Sequence, residues 1–514
     1  MPRQGILVEP YQRLNQEQIE RIHRASLDIL VNPGIVCFNR QAAEIFGDAG
    51  AEVTALESEG APSWLLKIPE MIVSQALASA PKVVKLGARD ENNCLILNGN
   101  EPRVYFASGS EANIWLDVEA EAFVSKTRPG LEVSLPVFKV QRGTVNRLAR
   151  AAHLCEYLDS WDSFLRPVNI QDDDINEGNK DVNKFFTSLN NTTKHVMSGL
   201  TELSQLDNVI KMAQIIAGGE DRLRENPIIS FITCTVKSPL QLTDDTSQKA
   251  IKIAREGIPL VISSSPQGGS TAPIQEGGMV AQINAEIITG ITLTQLVNKG
   301  TPVLYGSVPV RSRMDDLNDS YCVPEFSQYN IDCVQMARYY GLPCYSTGGI
   351  SDVKIPGIQA SVEKLFSHIL VAIAGPQYLH YAFGLLERTN TFCPVQAVLD
   401  DTHIGMVKMF ARKPLVTEAA MTQCLEQIRR VMSSSHKLYV RYVRRALRSG
   451  EIAPPYPFES QDMTDETLVL AQARMQELLA LPPRHIDRET IDRVFREVPG
   501  LLARLKTTDT GEEA

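Results

Sequence analysis

The sequence predicts an α/β fold: a (β/α)8 TIM barrel with an N-terminal α+β module and C-terminal helices. Three observations predict it. Short apolar runs that end in polar or glycine residues recur from Trp161 to Gly384, and an amphipathic helical segment follows each run. With the upstream run Val104–Ser108 they make about eight strands at a spacing of roughly 30–45 residues, the rhythm of a barrel. Gly257, Gly300 and Gly341 close helical segments just ahead of Pro259, Pro302 and Pro343, so one helix–Gly–x–Pro–strand punctuation occurs three times. A doubly wound open sheet shares this periodicity, because a repeat of strands and helices does not report closure.

Taken in order, strands are expected at Val104–Ser108, Trp161–Asn169, His195–Leu200, Ile228–Thr233, Pro259–Ser264, Pro302–Ser307, Pro343–Thr347 and Tyr378–Phe383. Apolar positions at a period of 3.6 mark expected helices at Val145–Leu158, Asn176–Leu189, Leu203–Ala217, Asp244–Glu256, Met279–Val297, Glu325–Tyr340 and Ile358–Ala374. Residues 1–100 break the rhythm and read as an α+β module. There Asn15 and Gln18 form a capping box ahead of a helix whose face carries Ile19, Ile22, Leu27 and Leu30. A helix from Pro69 to Ala80 precedes a hairpin of Val83–Gly87 and Cys94–Leu97, turned by Asp90–Asn93. The barrel is assigned to residues 101–413 and a helical extension to residues 414–514. That extension carries helices at Ala420–Ser433, Leu438–Ser449, Glu466–Leu479 and Arg488–Glu497, then a polar tail.

The 514 residues, 43% hydrophobic, are enough for a large core with smaller attachments. Net charge is −10, and the densest basic pairs are Arg429-Arg430 and Arg444-Arg445. Such dilute positive charge does not neutralise a phosphate backbone, so no nucleic acid partner is expected. Nine dispersed cysteines read as reduced thiols, and no apolar leader follows Met1, so a cytoplasmic location is expected. Leu365–Leu386 is the most membrane-like stretch, but His368, Pro376, Gln377 and His380 interrupt it. A buried helix and strand are expected there, with no membrane span.

No Cys-x-x-Cys, His-x-His, His-Glu-x-x-His, Walker loop or dinucleotide fingerprint occurs, so no metal ligands are assigned. Barrel enzymes place their chemistry on the loops after the strands, which directs attention to the residues closing each run. Aromatic residues gather there, Phe231, Tyr345 and Tyr381 among them. Core packing explains such residues, and so does a cage for a methylammonium cation. His380 is either a neutral core histidine or a ligand contact. Arg166, Arg311 and Arg313 each suit a substrate carboxylate or an ion pair. Gln267 lies in the glycine-rich Ser265–Ser270 loop, which lacks the following lysine of a phosphate cradle and suits close approach of a ligand to the backbone. Asp400–His403 is expected to open a helix, where acidic side chains favour the dipole.

Several segments carry a resemblance. Gln18–Leu30 resembles the leading helix of the trimethylamine methyltransferase (MttB) family, and Asn191-Thr192-Thr193-Lys194-His195 resembles its NTTKP turn, with His195 in place of proline. Ala272-Pro273, Gln282–Glu286, Ala337–Pro343, Gly348–Lys354 and Asp400-Asp401 are similar too. The resemblance implies a barrel that moves a methyl group from a methylamine to the cobalt of a separate corrinoid protein, which alone carries the corrinoid. It implies no catalytic side chain and no metal in this chain. The reduced cobalt is itself the nucleophile, and the barrel desolvates and aligns the C–N bond.

Family members acting on trimethylamine are associated with pyrrolysine, whereas this sequence is written wholly in standard residues. The resemblance is therefore to the non-pyrrolysine branch, and a betaine-like quaternary amine, whose leaving group is already a neutral amine, is the expected substrate. Expected substrate-binding residues are Tyr345, His380, Tyr381, Phe231, Gln267 and Arg311 at the strand C-terminal mouth. The corrinoid protein is expected to dock over that mouth near Arg311–Tyr321, and a homo-oligomer is expected. Two readings stay open beside this one: a lyase or isomerase of a small acid that pairs His380 with a carboxylate, and a non-catalytic barrel that binds a methylammonium ligand.

Overall fold

The computed structural model describes residues 2–57, 61–124, 132–459 and 466–506. Eight parallel strands form one large curled sheet: β1 (Arg103–Phe106), β2 (Phe164–Leu165), β3 (Val196–Ser198), β4 (Ile229–Thr233), β5 (Leu260–Ser264), β6 (Val303–Ser307), β7 (Cys344–Thr347) and β8 (Tyr378–His380). Their order is β2-β3-β4-β5-β6-β7-β8-β1, with Ile6–Leu7 added antiparallel on β1. β1 also meets β2, because Asp162 N donates to Phe106 O at 2.7 Å and Ala107 bridges Ser163 in parallel.

A helix follows each strand: α1 (Val145–Tyr157), α2 (Glu177–Asn191), α3 (Leu206–Ala217), α4 (Asp244–Glu256), α5 (Glu276–Val297), α6 (Pro324–Tyr339), α7 (Ile358–Ala374) and α8 (Pro394–Phe410). Gly257, Gly300 and Gly341 all adopt left-handed φ where the repeat places them. Helices Glu418–Met432, Val440–Ser449, Thr467–Leu479 and Arg488–Glu497 follow.

Strand periodicity sorts the side chains. Val104, Phe106, Phe164 and Leu379 face α1 and α8 in one core, whereas Val196, Ile229, Phe231, Leu260 and Ile262 face the other helices in a second. The alternate positions Tyr105, Leu165, Met197, Val261, Leu304 and Tyr345 point inward. The hairpin Val83–Leu86 with Leu95–Asn98 joins that inner cluster through Val84, Leu86, Leu95 and Leu97, so one end of the sheet is plugged by apolar side chains.

The capping box forms, with Asn15 and Gln18 exchanging two bonds of 2.9 Å, and helix Gln16–Val31 lies on α5. Strands Ile35–Cys37, Glu52–Leu56 and Ser63–Lys67 and the hairpin of Ile114–Val124 with Glu132–Arg142 were not expected. They pair antiparallel with one another, and Glu52–Leu56 is largely exposed, so the continuous apolar runs of the parallel strands are missing there.

Two expectations need correction. Asp400–His403 does not open a helix: α8 starts at Pro394, a residue preorganised for a first turn, and Asp400 lies two turns in. β8 stops at His380, not Phe383, because Tyr381 takes a left-handed φ of 65°. Among the described residues no helix is long and apolar enough to cross a membrane.

Candidate active site

Parallel strands deliver their closing residues to one end of the sheet. β7 and β8 are paired with Tyr345 opposite Tyr378 and Thr347 opposite His380. Alternation puts all four side chains on the inner face. Their rings stack: Tyr345 is 5.4 Å from Tyr378 and 3.9 Å from His380, centroid to centroid. Tyr381 closes the stack edge-on, 3.9 Å from His380. Gly109 makes room for it, since a Cβ there would lie 2.5 Å from the Tyr381 ring.

His380 is fully buried, and its hydrogen bonds fix its tautomer. Thr347 Oγ1 donates to Ser307 O at 3.1 Å and lies 2.8 Å from His380 Nε2. With the hydroxyl proton assigned to Ser307 O, Nε2 carries the ring proton and donates to Thr347. Nδ1 is left as a buried acceptor without a partner. Burial holds this imidazole well below its ordinary pKa, so it is neutral. Burial likewise raises Tyr345 and Tyr381 above the ordinary phenol range, so both keep their protons.

Gly199, Ile232, Cys234 and Tyr381 are accessible to solvent at this end. Cys234 is exposed, yet the surrounding protein desolvates its thiol and pushes its pKa up. Beside it lies the buried Ser263 hydroxyl, whose hydrogen bond to the thiol opposes that rise.

The other expected residues lie apart from this stack. Gln267 and Arg311 sit on a small sheet of Gln267–Gly268, Val310–Ser312 and Asp319–Ser320. Gln267 Nε2 donates to Asp319 Oδ1 at 2.5 Å, and Tyr321 Oη donates to Asp319 Oδ2 at 3.2 Å. The cluster beneath that sheet, Val310, Tyr321, Phe326 and Ile350, packs on Tyr381. Arg311 is 3.4 Å from Glu325, and the half-buried Arg313 pairs with Asp315. Phe231 faces outward, its ring 5.4 Å from Phe185 of α2. Arg166 is buried against Glu111, and desolvation pushes it down to about 9.

Thr347, Cys234, Ser263 and Asp319 were missed. Thr347 and Ser263 were legible by counting two residues on from Tyr345 and Val261, and Cys234 directly follows the fourth expected strand. Asp319 reaches the site through a loop that has no period. Among the described residues no group of three or more His, Cys, Asp or Glu is arranged to hold a metal ion. A cavity of about 360 Å³ lies elsewhere, where Lys85, Arg89, Arg222 and Glu225 surround Ile228 just ahead of β4.

The sequence matches the family profile for trimethylamine methyltransferase (MTTB) over residues 5–443. The chain belongs to that family. A protein named trimethylamine methyltransferase MttB from Desulfitobacterium hafniense (strain DSM 10664 / DCB-2) is 34% identical over 395 residues, 77% of this chain and 74% of its own. Its namesake from Methanosarcina thermophila is 30% identical and covers 84% of each chain. A glycine betaine methyltransferase from Desulfitobacterium hafniense (strain Y51) is 26% identical over 93% of this chain and 95% of its own.

The family-like segments act as scaffold around the strands. Glu156 accepts from Thr193 N at 2.7 Å and Thr192 Oγ1 at 2.9 Å, and Lys194 Nζ caps the end of α1 through Leu158 O at 3.0 Å and Trp161 O at 2.6 Å. These bonds fix the start of β3, the end opposite the aromatic stack. Glu286 accepts from Ser264 Oγ at 2.5 Å, Ser238 Oγ at 2.6 Å and Leu240 N at 3.1 Å, tying the loop after β4 to the end of β5.

Proposed function

We propose that this chain moves a methyl group from a betaine-like quaternary amine to the cobalt of a corrinoid protein. Family membership supports methyl transfer, and the uncharged ring stack of Tyr345, His380 and Tyr381 at the strand ends carries the choice of substrate. Aromatic faces attract a trimethylammonium group through the ring quadrupole. A neutral His380 adds no positive charge to oppose it, and its free Nδ1 presents a lone pair. Asp319, held by Gln267 and Tyr321 near Tyr381, adds negative potential at the rim.

The corrinoid of the partner supplies the nucleophile. The ring stack fits that division of labour: it holds and orients the C–N bond, and its burial excludes water. No proton has to move, because a quaternary ammonium leaves as a neutral amine. The acid–base reading is not favoured, since the hydrogen-bond partner of His380 is the Thr347 hydroxyl rather than a carboxylate.

The same reading makes the curled sheet a closed (β/α)8 barrel of residues 101–413, supported by the Ala107–Ser163 bridge that joins β1 to β2. Residues 1–100 then plug its base, residues 414–514 extend it, and the corrinoid protein docks over the open mouth in the cytoplasm. The test is methylation of cob(I)alamin, free or on a cognate corrinoid protein, followed spectroscopically with glycine betaine, other betaines and trimethylamine. Demethylation of a betaine is expected. Turnover of trimethylamine alone, or binding of betaines without turnover, overturns the proposal.

A further inference from the structure

We propose that residues 414–450 form an arm that packs on the body of a second copy of this chain. Only Val431 is buried in helix Glu418–Met432, and no residue is buried in helix Val440–Ser449. Arg412 Nη1 donates to Gly450 O at 3.0 Å, so the excursion leaves and rejoins the body at one place. Met421, Leu425, Ile428 and Met432 form a stripe at helical spacing and are 46–58% exposed. On the second helix Val440, Val443 and Leu447 share one side, with Arg441, Arg444, Arg445 and Arg448 on the other.

The body carries a matching surface. Ile358, Val362 and Phe366 stand one turn apart on α7 and are 82%, 62% and 48% exposed. Met406 and Phe410 on the adjacent α8 are 48% and 71% exposed. Arm and body together expose on the order of 1,000 Å² of apolar side chain, against about 800 Å² per partner in a stable complex. Two exposed apolar faces of this size on one chain suit reciprocal burial against a second copy.

Charge selects the occupant. The arm has seven Lys or Arg and two Asp or Glu, a net +5, whereas the remainder of the chain carries −15. A second body therefore attracts the arm, while a body of −15 is repelled by an anionic lipid surface. Reciprocal exchange of two arms satisfies both stripes at once and closes with two-fold symmetry.

Sedimentation velocity of the full chain at micromolar concentration tests this. The wild-type chain is expected to sediment as a dimer or a multiple of one, and added salt is expected to weaken it. Leu425→Glu with Ile428→Glu in the arm, and separately Val362→Glu with Phe366→Glu on the body, are each expected to give monomers with unchanged circular dichroism. Should a point variant misfold, a Gly/Ser linker in place of residues 415–449 is expected to give the same monomer. A monomeric wild type overturns the proposal, as does an oligomer that survives both substitution pairs. Binding of the monomer to phosphatidylglycerol vesicles, or protection of the arm only when a corrinoid protein is added, also overturns it.

Discussion

Thr347 Oγ1 lies 2.8 Å from His380 Nε2 across the β7–β8 seam, and its proton is already donated to Ser307 O. With that assignment the imidazole is neutral, its proton on Nε2 and a free acceptor at Nδ1. Thr347→Val removes the acceptor for Nε2–H and leaves a buried donor unmet, at about 1–3 kcal/mol. kcat/KM for the preferred quaternary amine is expected to fall about 10-fold or more, with the stack intact. Nitrogen NMR of labelled histidine should show the Nε2–H tautomer in the wild type and its perturbation in the variant. An unchanged tautomer and rate would remove Thr347 from the argument.

The ring faces, not the phenol hydroxyls, are expected to hold the cation. Tyr381, the one ring of the stack that reaches solvent, is the test position. Tyr381→Phe keeps the face and should leave KM within about 3-fold. Tyr381→Leu forfeits about 0.5–2 kcal/mol of cation–π attraction, a rise in KM of roughly 2- to 30-fold. Steady-state kinetics with glycine betaine separates the two substitution types. Equal losses for Phe and Leu at position 381 would assign the effect to the hydroxyl instead.

Cys234 is exposed near Tyr381, and its thiol is raised by desolvation. Alkylation with iodoacetamide should be slow at neutral pH, speed up as the pH rises, and block methyl transfer in step with labelling of Cys234 by mass spectrometry. Cys424 is also exposed but lies in the arm, so its labelling should leave activity unchanged. Cys234→Ser should resist inactivation. Full activity after complete labelling of Cys234 would place the substrate elsewhere.

His195 is buried, with Nδ1 2.7 Å from Gly87 O and Nε2 2.7 Å from Ser230 Oγ, and desolvation lowers its pKa to about 4. Because the folded value lies below the unfolded value near 6.5, the unfolded chain binds the extra proton between those limits. Stability from this group is complete above pH 6.5 and is lost as pH falls through 4, by about 3 kcal/mol. Urea unfolding between pH 7 and pH 4 should therefore show a steeper loss for the wild type than for His195→Gln. Identical slopes would refute the assignment.

The sequence by itself determined the repeat. Its eight apolar runs, the helices between them and the Gly–x–Pro boundaries are local, because strand and helix periods are set by alternation and by 3.6-residue spacing along one chain. It also placed Tyr345, His380 and Tyr381 together, since all three close strands that the repeat makes neighbours. Only the tertiary structure separated them from Phe231, which faces the helix layer: the direction of a side chain in a fully buried strand carries no signature when both faces are apolar. Only the fold engaged Gln267 with Asp319 and Arg311 with Glu325, through loops whose pairing has no period. The proton on His380 was likewise beyond the sequence, because it depends on a hydroxyl 33 residues away whose own proton is spent on a third strand. Local patterns report which element forms. Which group meets which across the sheet is decided by packing.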